Sequence, residues 1–554
     1  MRLKILALVA LLSVSLSAQA PSNTFDPSRA PVIDKALQRY VDTDKIAGIV
    51  ALVMQDGKVV YEKAFGWADK EAGRRMTTDT IFRIASQTKA LTSAAIMQLV
   101  EQGALTLNTT AGTYIPTFAQ TKVAVANERG NVRQVPATRA ITIRDLLTHR
   151  SGLGLGEGDL LIIPNTTRSR TDIVHALRYL KPRTGFRDVF AYDNILYIVA
   201  GQLVQAVSGE TWEHFVEHHL FAPLGMTDSR TLYDAAAPNA VALHGRTDGT
   251  IRGMGQEKIL TGVLDAEVAA PCGSINASAV DMAKWIAMWE AGGKLPDGRR
   301  LLSAAAVHEL WNPVVIVPSD AFGAVSPLLA EPSFQDYALG WFVENDGGHT
   351  VVEHTGAVFG ALAALYFIPE KHVAFSVIIN SEDGGTRRSV VDYLEAYYLG
   401  QPQKDWIGDL VKLRRQIIGS TLTAMKNLPQ QYKPNDRSSL PLGRYAGKYS
   451  DPWYGTMTVS ARPAGKLWMR FDLTPGMEGP LEHVADDTFR AHWTDRGIED
   501  AYVTFAVEGG GIRSIAMKPV SPLADFSFDY QDLHFSPKGQ ERVSAARSGP
   551  AAPP

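Results

Sequence analysis

The first strongly patterned part of the chain consists of two apolar runs followed by a mostly apolar helix. Ile46 to Met54 and Lys58 to Gly66 are apolar-rich, and the dipeptide Asp56-Gly57 joins them. Asp-Gly between two such runs is a strong signal for a β-hairpin with a two-residue turn. A helix is predicted next, from Ser86 to a stop at Gly103, with small and apolar residues on nearly every face. That distribution is typical of a helix buried in a core.

Helical patterns then dominate until strands return near residue 350. The pattern from Thr142 to Gly225 is mostly helical, with turns rich in Gly and Pro. Strands are predicted over Thr350 to Glu353, Ala361 to Ile368 and Val373 to Ile379, and a helix over Arg387 to Leu399. Strands at both ends of a region with helices between them indicate one α/β (α+β) domain, whose sheet is closed by its own terminal segments. We predict that this domain spans residues 25–400.

The pattern changes again beyond residue 400. Residues 401–440 are predicted to be a helical, Pro-containing linker, with the helix over Asp405 to Asn427. Residues 441–536 contain short runs of strand character separated by Gly, Pro and Asp, which indicates a small all-β barrel or sandwich. Residues 537–554 are polar and rich in Pro and Ala, and we predict a disordered tail. Two folded domains also suit a length of 554 residues, which is too long for one core.

The N-terminus has the pattern of a secretory signal peptide. Arg2 and Lys4 precede an apolar stretch from Ile5 to Leu16, and the small residues of Ala18-Gln19-Ala20 follow it. A buried helix and a membrane anchor are the alternatives, but the apolar stretch is short for a bilayer. We therefore predict that residues 1–20 are a signal peptide, that the mature protein is periplasmic or secreted, and that it is not stably inserted in a membrane.

Composition and single residues exclude several other classes of protein. The net charge of -3 gives no field that would attract nucleic acid, so we expect no nucleic-acid partner. The single cysteine, Cys272, cannot form an intrachain disulfide and is predicted to be a buried thiol. His214 and His218 have a spacing that suits zinc, yet they lack the Glu of the His-Glu-x-x-His arrangement. We predict neither a metal nor a cofactor.

Ser86 and Lys89 are the first candidates for chemistry. Residues three apart on a helix share one face, so an uncharged Lys89 amine would accept the proton of the Ser86 hydroxyl. Serine is a weak nucleophile that needs such a base. The helix N-terminus also offers unpaired backbone amides to a developing oxyanion. Alone, the pattern Ser-x-x-Lys discriminates poorly, because a Ser N-cap followed by an exposed Lys is the commoner explanation.

A second candidate segment lies at a predicted loop-to-helix junction. Tyr192 and Asn194 are two apart and precede the apolar helix Ile195 to Val207. The Tyr192 hydroxyl would relay a proton, and the Asn194 amide would hold either Lys89 or a substrate carbonyl. A core tyrosine with a satisfied hydroxyl is the alternative for Tyr192.

The third candidate segment is His354-Thr355-Gly356, followed by Ala357, at the end of a predicted strand. A glycine in a strand beside a site lets a substrate backbone approach closely. The strand edge would then pair with a peptide, and the amides of Ala357 and Ser86 would form an oxyanion hole. We predict that His354 is a catalytic-site residue that orients the substrate together with Asn194, Thr355 and Gly356. A structural histidine is the alternative for His354.

These three segments, in this order and approximate spacing, resemble class C β-lactamases and penicillin-binding-protein-like serine hydrolases. Residues 141–153 and Pro223-Leu224-Gly225-Met226 add to a resemblance that covers nearly all of the first 400 residues. The resemblance implies a transpeptidase-like fold, in which helices and a helical subdomain flank an antiparallel sheet. It also implies an acyl-enzyme on Ser86, with Lys89 and Tyr192 managing protons. The C-terminal β segment resembles the lipocalin-like barrel of some peptidase members.

One departure from this family affects the expected substrate. Penicillin-binding proteins and β-lactamases typically carry Lys-Thr-Gly or Lys-Ser-Gly where this chain has His354-Thr355-Gly356. A histidine is mostly neutral at pH 7 and attracts a substrate carboxylate less than a lysine does. We therefore rank peptide hydrolysis first, on short, D-residue-containing or nonribosomal peptides such as linearised cyanobacterial ones. An esterase ranks second and a β-lactamase third.

Two questions stay open in the sequence. A non-enzymatic sensor of peptides or β-lactams, or a carbohydrate-binding protein, is the alternative from another class. The barrel has two candidate roles: it narrows the entrance to the cleft, or it joins subunits into a homo-oligomer. The expected partner is otherwise a small peptide or ester substrate.

Overall fold

The computed structural model describes residues 24–126, 132–136, 141–261, 267–322, 334–402, 404–431 and 437–538. The predicted signal peptide (1–20) lies outside the described residues, as does the predicted tail from 539 onward. The α-helices of the described part are α1 (Ala30–Asp42), α2 (Thr88–Glu101), α3 (Ala111–Tyr114), α4 (Ile143–Leu147), α5 (Arg170–Ala176), α6 (Asn194–Ser208), α7 (Trp212–Val216), α8 (Ala222–Leu224), α9 (Ala270–Gly273), α10 (Ala279–Glu290), α11 (Ala304–Trp311), α12 (Gly384–Tyr398) and α13 (Trp406–Gln431).

An antiparallel sheet forms the centre of the first domain. Within the described residues its spatial order is β10 (Val315–Ile316), β11 (Phe334–Tyr337), β12 (Phe342–Asp346), β13 (His349–Val358), β14 (Ala361–Ile368), β15 (Val373–Ile379), β1 (Gly48–Gln55), β2 (Lys58–Asp69) and β3 (Arg74–Arg75). The first strand pairs with β15 in the register Ile49 with Ile379, so the terminal segments of the domain close the sheet as predicted. Asp56 and Gly57 both have positive φ, 51° and 71°, which is the conformation of the predicted hairpin turn.

Helices cover both faces of this sheet. One face packs against α1 and α12, and the apolar side chains of β1 that point to it include Ile49, Ala51 and Val53. The alternate residues Val50, Leu52 and Met54 point to the other core, which contains α2, α6 and α10. This alternation follows from the two-residue period of a strand. Helix α2 is buried on nearly every side, as its sequence predicts.

Within the described residues, the first domain also contains three short strand pairs. They are β4 (Phe82–Arg83) with β9 (Asn276–Ala277), β5 (Lys122–Ala126) with β6 (Val132–Pro136), and β7 (His244–Gly245) with β8 (Lys258–Ile259). The first of these pairs places residues 82–87 beside the segment around Cys272, on the side of the sheet that carries β13.

The C-terminal strands close into a barrel, which confirms the predicted all-β unit. Its strands are β16 (Gly447–Asp451), β17 (Gly455–Arg462), β18 (Lys466–Phe471), β19 (Glu478–Ala485), β20 (Thr488–Ala491), β21 (Ala501–Glu508), β22 (Gly511–Pro519) and β23 (His534–Pro537). Helix α13 precedes the barrel and occupies most of the segment predicted as a linker.

The barrel packs directly against the first domain. Phe528 of the barrel stacks on Phe359, with ring centroids 5.6 Å apart, and Arg252 Nη1 donates to the Gly497 carbonyl at 2.6 Å. None of the helices in the described part of the chain combines the length and hydropathy needed to cross a bilayer.

Candidate active site

Ser86 lies in a single 3₁₀ turn, Ala85–Gln87, that leads into α2. The preceding residue, Ala85, has a φ of +49°, a left-handed conformation that is uncommon for a residue with a side chain. Such strained residues cluster at active sites, where surrounding structure holds them in place. The sequence predicts a helix that begins near Ser86, and the regular α-helix begins two residues later, at Thr88.

The Lys89 amine is held by three oxygen atoms at once. Lys89 Nζ lies 3.0 Å from Ser86 Oγ, 2.8 Å from Asn194 Oδ1 and 2.9 Å from the Cys272 carbonyl oxygen. A neutral amine has two N–H bonds and one lone pair. When the two N–H groups donate to Asn194 and Cys272, the lone pair is left to accept the proton of the Ser86 hydroxyl.

The environment of Lys89 favours this neutral amine. Its side chain is fully buried, and burial lowers its pKa from 10.5 to about 8, although Asp159 and Asp193 oppose the shift. A base whose pKa lies near the working pH is the most effective general base. The structure thus gives Lys89, beside the nucleophile, a pKa at which a usable fraction of the amine is neutral near pH 7 to 8.

Tyr192 lies on the other side of the nucleophile and stays protonated. Burial raises its pKa well above 10, although the nearby Ser86 hydroxyl opposes the shift. The phenol is therefore available as a proton donor and not as a phenolate base. Its ring packs against the buried ring of His149, with centroids 4.4 Å apart. His149 Nδ1 accepts a hydrogen bond from the Asp193 amide at 3.1 Å, which fixes the segment that carries Tyr192.

His354 is buried and neutral. Burial is the main cause that lowers its pKa to about 3, and the nearby Lys89 adds to the effect. Its Nδ1 lies 2.6 Å from the Thr355 carbonyl oxygen and its Nε2 lies 3.2 Å from the Tyr337 hydroxyl. An Nδ1–H tautomer satisfies both contacts, because Nε2 then accepts from Tyr337. Both ring nitrogens of His354 thus have partners within the protein.

The rest of the motif on β13 faces the nucleophile. A side chain at Gly356 would overlap the Ile84 carbonyl oxygen, so only glycine lets the strand approach the turn that carries Ser86. Ala357 is exposed and Thr355 is half-buried. Strand β12 pairs with β13 only as far as Glu353, whereas β14 pairs with it through Val358. Within the described residues, the edge of residues 354–358 that faces away from β14 is therefore not covered by β12.

One carboxylate of this hydrogen-bond network, that of Asp159, is not predicted by the sequence. Asp159 is fully buried, and its Oδ2 accepts hydrogen bonds from Asn194 Nδ2 at 2.7 Å and from Ser527 Oγ at 2.8 Å. Burial raises its pKa to about 6. Asp159 follows Gly158 at the start of a short 3₁₀ turn and matches no catalytic pattern, and Ser527 belongs to the barrel. No signal in the sequence links the two.

Aromatic side chains from both domains surround Tyr192. Its ring lies 5.6 Å from Phe322 and 6.3 Å from Phe526, and these two phenylalanines lie 6.3 Å from each other. Phe322 is 49% exposed, so this cluster offers an apolar surface that a ligand can contact. Phe526 is half-buried and comes from the barrel.

Other features lie away from this site. A cavity of about 500 Å³ lies between residues 247–261 and the barrel residues 494–497, none of which belongs to the Ser86 network. The Cys272 thiol is buried, as predicted, and burial raises its pKa to about 11. His214 contacts Glu210 and stacks on His218. In the part of the chain that the structure describes, no group of three or more His, Cys, Asp and Glu side chains could hold a metal ion.

A buried serine–lysine–tyrosine arrangement of this kind is suited to acyl transfer through a serine nucleophile. Residues 33–399 match the family model described as Beta-lactamase, and residues 431–537 match that of a domain of unknown function, DUF3471. The chain therefore belongs to the β-lactamase family, and it is a serine hydrolase of that fold.

Individual relatives agree with this class. The unguisins hydrolase of Aspergillus violaceofuscus is 26% identical over 473 residues, which are 81% of this chain and 80% of that hydrolase. Esterase EstB of Burkholderia gladioli is 33% identical over 216 residues, 36% of this chain and 51% of the esterase. The octameric penicillin-binding protein homologue of Pyrococcus abyssi has the same fold, with a TM-score of 0.54 at 20% identity over 91% of this chain and 99% of that one.

Proposed function

We propose that this protein is a peptidase that cleaves short or unusual peptides, including those with D-residues, through an acyl-enzyme on Ser86. Lys89 accepts the Ser86 proton as the hydroxyl oxygen attacks the substrate carbonyl. The backbone amides of Ser86 and Ala357 stabilise the resulting oxyanion. Tyr192 donates its proton to the leaving nitrogen as the C–N bond breaks, and the Lys89 ammonium returns a proton to the tyrosine. Water then attacks the acyl-enzyme and gives a proton to Lys89, and Ser86 regains its proton as the acid is released.

The proposed choice of substrate rests on the neutral state of His354. A lysine at this position, as in β-lactamases and penicillin-binding proteins, presents a permanent cation to a substrate carboxylate. Burial and the neighbouring Lys89 hold His354 uncharged across the physiological range, so it cannot take over that role. The proposed substrate therefore need not carry a carboxylate next to the scissile bond.

The open edge of β13 favours a peptide over a simple ester. An extended substrate backbone can add to the edge of residues 354–358, where Gly356 permits close approach and Ala357 is exposed. The relative that hydrolyses unguisins supports this ranking because it is similar to 81% of this chain.

One of the alternatives has support from a specific relative. A carboxylesterase is the second candidate, because the esterase of Burkholderia gladioli shares 33% identity over a third of this chain. A β-lactamase ranks third. A non-turning-over sensor is the alternative from another class, and it would acylate Ser86 in a burst without later release.

The test is a panel of chromogenic amino-acid and dipeptide p-nitroanilides, with L- and D-residues, p-nitrophenyl esters and a cephalosporin. Wild type and Ser86→Ala are assayed in parallel. Steady turnover of p-nitroanilides by wild type alone supports the proposal. Turnover confined to esters or to the cephalosporin would replace it with one of the alternatives, and full activity of Ser86→Ala would refute the acyl-enzyme.

We also propose that the mature protein is exported, because residues 1–20 have the pattern of a signal peptide. Fractionation of cells that produce the full chain tests this proposal, and a purely cytoplasmic product would contradict it. Assembly through the barrel is proposed as one of its roles. Light scattering on the full chain tests that role, and a monomer at micromolar concentration would exclude it.

A further inference from the structure

A loop of the barrel reaches the back of the candidate active site. Ser527 Oγ donates to Asp159 Oδ2 at 2.8 Å, and Asn194 Nδ2 donates to the same oxygen at 2.7 Å. Asn194 Oδ1 in turn lies 2.8 Å from Lys89 Nζ. A continuous chain of hydrogen bonds thus joins the barrel to the base, although Ser527 follows Asp159 by 368 residues.

The barrel also holds the backbone on both sides of Asp159. The Asp529 carboxylate accepts from the Gly158 amide at 2.7 Å and from the Leu160 amide at 3.2 Å. Asp529, Ser527 and Asp159 are all buried. Burying polar groups is costly unless they are hydrogen-bonded, and both Asp529 oxygens, the Ser527 hydroxyl and Asp159 Oδ2 are. Asp159 Oδ1 is buried without a hydrogen-bond partner among the described residues. The bonds made across the two domains indicate a specified contact and not incidental packing.

We propose that Asp159 and Ser527 are positioning residues for the catalytic base, so that the barrel supplies part of the catalytic centre of the first domain. This inference deepens the function proposed above and rests on it. An ionised Asp159 only accepts hydrogen bonds, so it fixes the Asn194 amide with Nδ2 toward itself and Oδ1 toward Lys89. That orientation takes up one N–H of the Lys89 amine and helps to aim its lone pair at Ser86.

The charges around Asp159 agree with this assignment. Burial raises its pKa, whereas the hydrogen bonds from Asn194 and Ser527 and the charge of Lys89 lower it. Asp525 raises the pKa of Asp159 further, and Asp159 in turn raises the pKa of the buried Asp193 and Asp529. The Ser527 hydroxyl therefore stabilises the acceptor-only carboxylate among neighbours that oppose it.

The test compares four variants of the full chain with wild type. They are Ser527→Ala, Ser527→Thr, Asp159→Asn and the control Asp532→Asn. Asp532 pairs with Arg183 between the same two domains but lies outside the hydrogen-bond chain. Two rates are measured at several pH values: turnover of the best p-nitroanilide or ester, and acylation of Ser86 by a fluorophosphonate. Melting temperatures show which variants are folded.

Ser527→Ala is expected to lower kcat by about tenfold at unchanged KM, the effect of one lost hydrogen bond to a charged group. Ser527→Thr should restore the rate, and Asp532→Asn should match wild type. Asp159→Asn should also move the acidic limb of the acylation rate to lower pH, because Asp159 raises the pKa of Lys89. A merely structural carboxylate would lower the rate without moving that limb.

Two results would overturn the inference: a folded Ser527→Ala with the wild-type rate, or an equal loss in Asp532→Asn. If Ser527→Ala does not fold, Asp159→Asn decides through the position of its acidic limb. If Ser86→Ala is no longer labelled but Ser527→Ala keeps the wild-type rate, this inference is refuted and the proposed function is not. Labelling and turnover that survive in Ser86→Ala would sink the proposed function itself.

Discussion

The protonation state of Lys89 predicts the pH dependence of acylation. Burial lowers the pKa of this amine to about 8, and the neutral form is the active one. The neutral fraction is about 10% at pH 7 and nearly complete above pH 9, so kcat/KM should rise about tenfold across this interval. At an ordinary lysine pKa the neutral fraction at pH 8 would be roughly 100-fold smaller. Burial of Lys89 thus accounts for most of the neutral amine that can act as the base near pH 8.

Lys89 is the site residue expected to dominate this pH range. The pKa of His354 is about 3 and that of Tyr192 lies well above 10, so both keep one protonation state throughout. The pKa of Asp159, about 6, lies below the interval. The rate should therefore follow one ionisation with a midpoint near pH 8 and fall as the pH is lowered.

The assay is kcat/KM for a p-nitroanilide between pH 7 and 9.5, with fluorophosphonate labelling as a second measure of acylation. Tyr192→Phe serves as the comparison. It should lose about 10²- to 10⁴-fold in activity as a general acid is removed, yet keep the midpoint near pH 8. A flat profile for wild type would refute the role of Lys89 as base, and loss of the midpoint in Tyr192→Phe would move that role to Tyr192.

Two further predictions concern the walls of the site. Gly356→Ala should push β13 away from the Ile84 carbonyl, lowering kcat and destabilising the fold by about 1–3 kcal/mol. Gly384→Ala, whose new methyl group meets nothing within 4 Å, is its control, and equal denaturation curves and rates for the two variants would contradict the close approach. Phe526→Ala should lower kcat/KM for substrates with aromatic or bulky apolar acyl groups more than for small ones, because Phe526 contributes to the apolar surface beside Tyr192. Leu523→Ala, an exposed position on the same loop, should leave that selectivity unchanged, and an equal change in both variants would disprove the role of Phe526.

Local signals made the framework of this protein predictable. Asp56-Gly57 specifies its turn through the two positive φ angles that only a few residue types accept easily. The proximity of Ser86 and Lys89 follows from helical spacing, because one turn brings residues three apart together. A glycine near the end of a predicted strand already indicates that another backbone approaches closely at Gly356. In the structure that backbone is the one at Ile84, whose carbonyl oxygen leaves no room for a side chain.

The groups that act through tertiary contacts were not predictable in the same way. The Cys272 carbonyl that accepts from Lys89 is a backbone atom, which leaves no mark in the sequence. Asp159 and Ser527 meet only because the barrel packs on the first domain. The burial that neutralises His354 and occupies its ring nitrogens depends on Tyr337 and other neighbours brought in by the fold.

The pairing of β1 with β15 has a consequence for how the chain folds. Residues 48–55 form a fully buried, mostly apolar strand inside the sheet. One of the two strands that pair with it, β15, comes more than 300 residues later in the chain. Contacts between such distant segments slow folding, because a long loop must close before they form. A ribosome releases this apolar segment long before its partner exists, which exposes an aggregation-prone strand. Folding yield in cells should therefore depend on a holding chaperone during synthesis more strongly than the stability of the finished protein suggests.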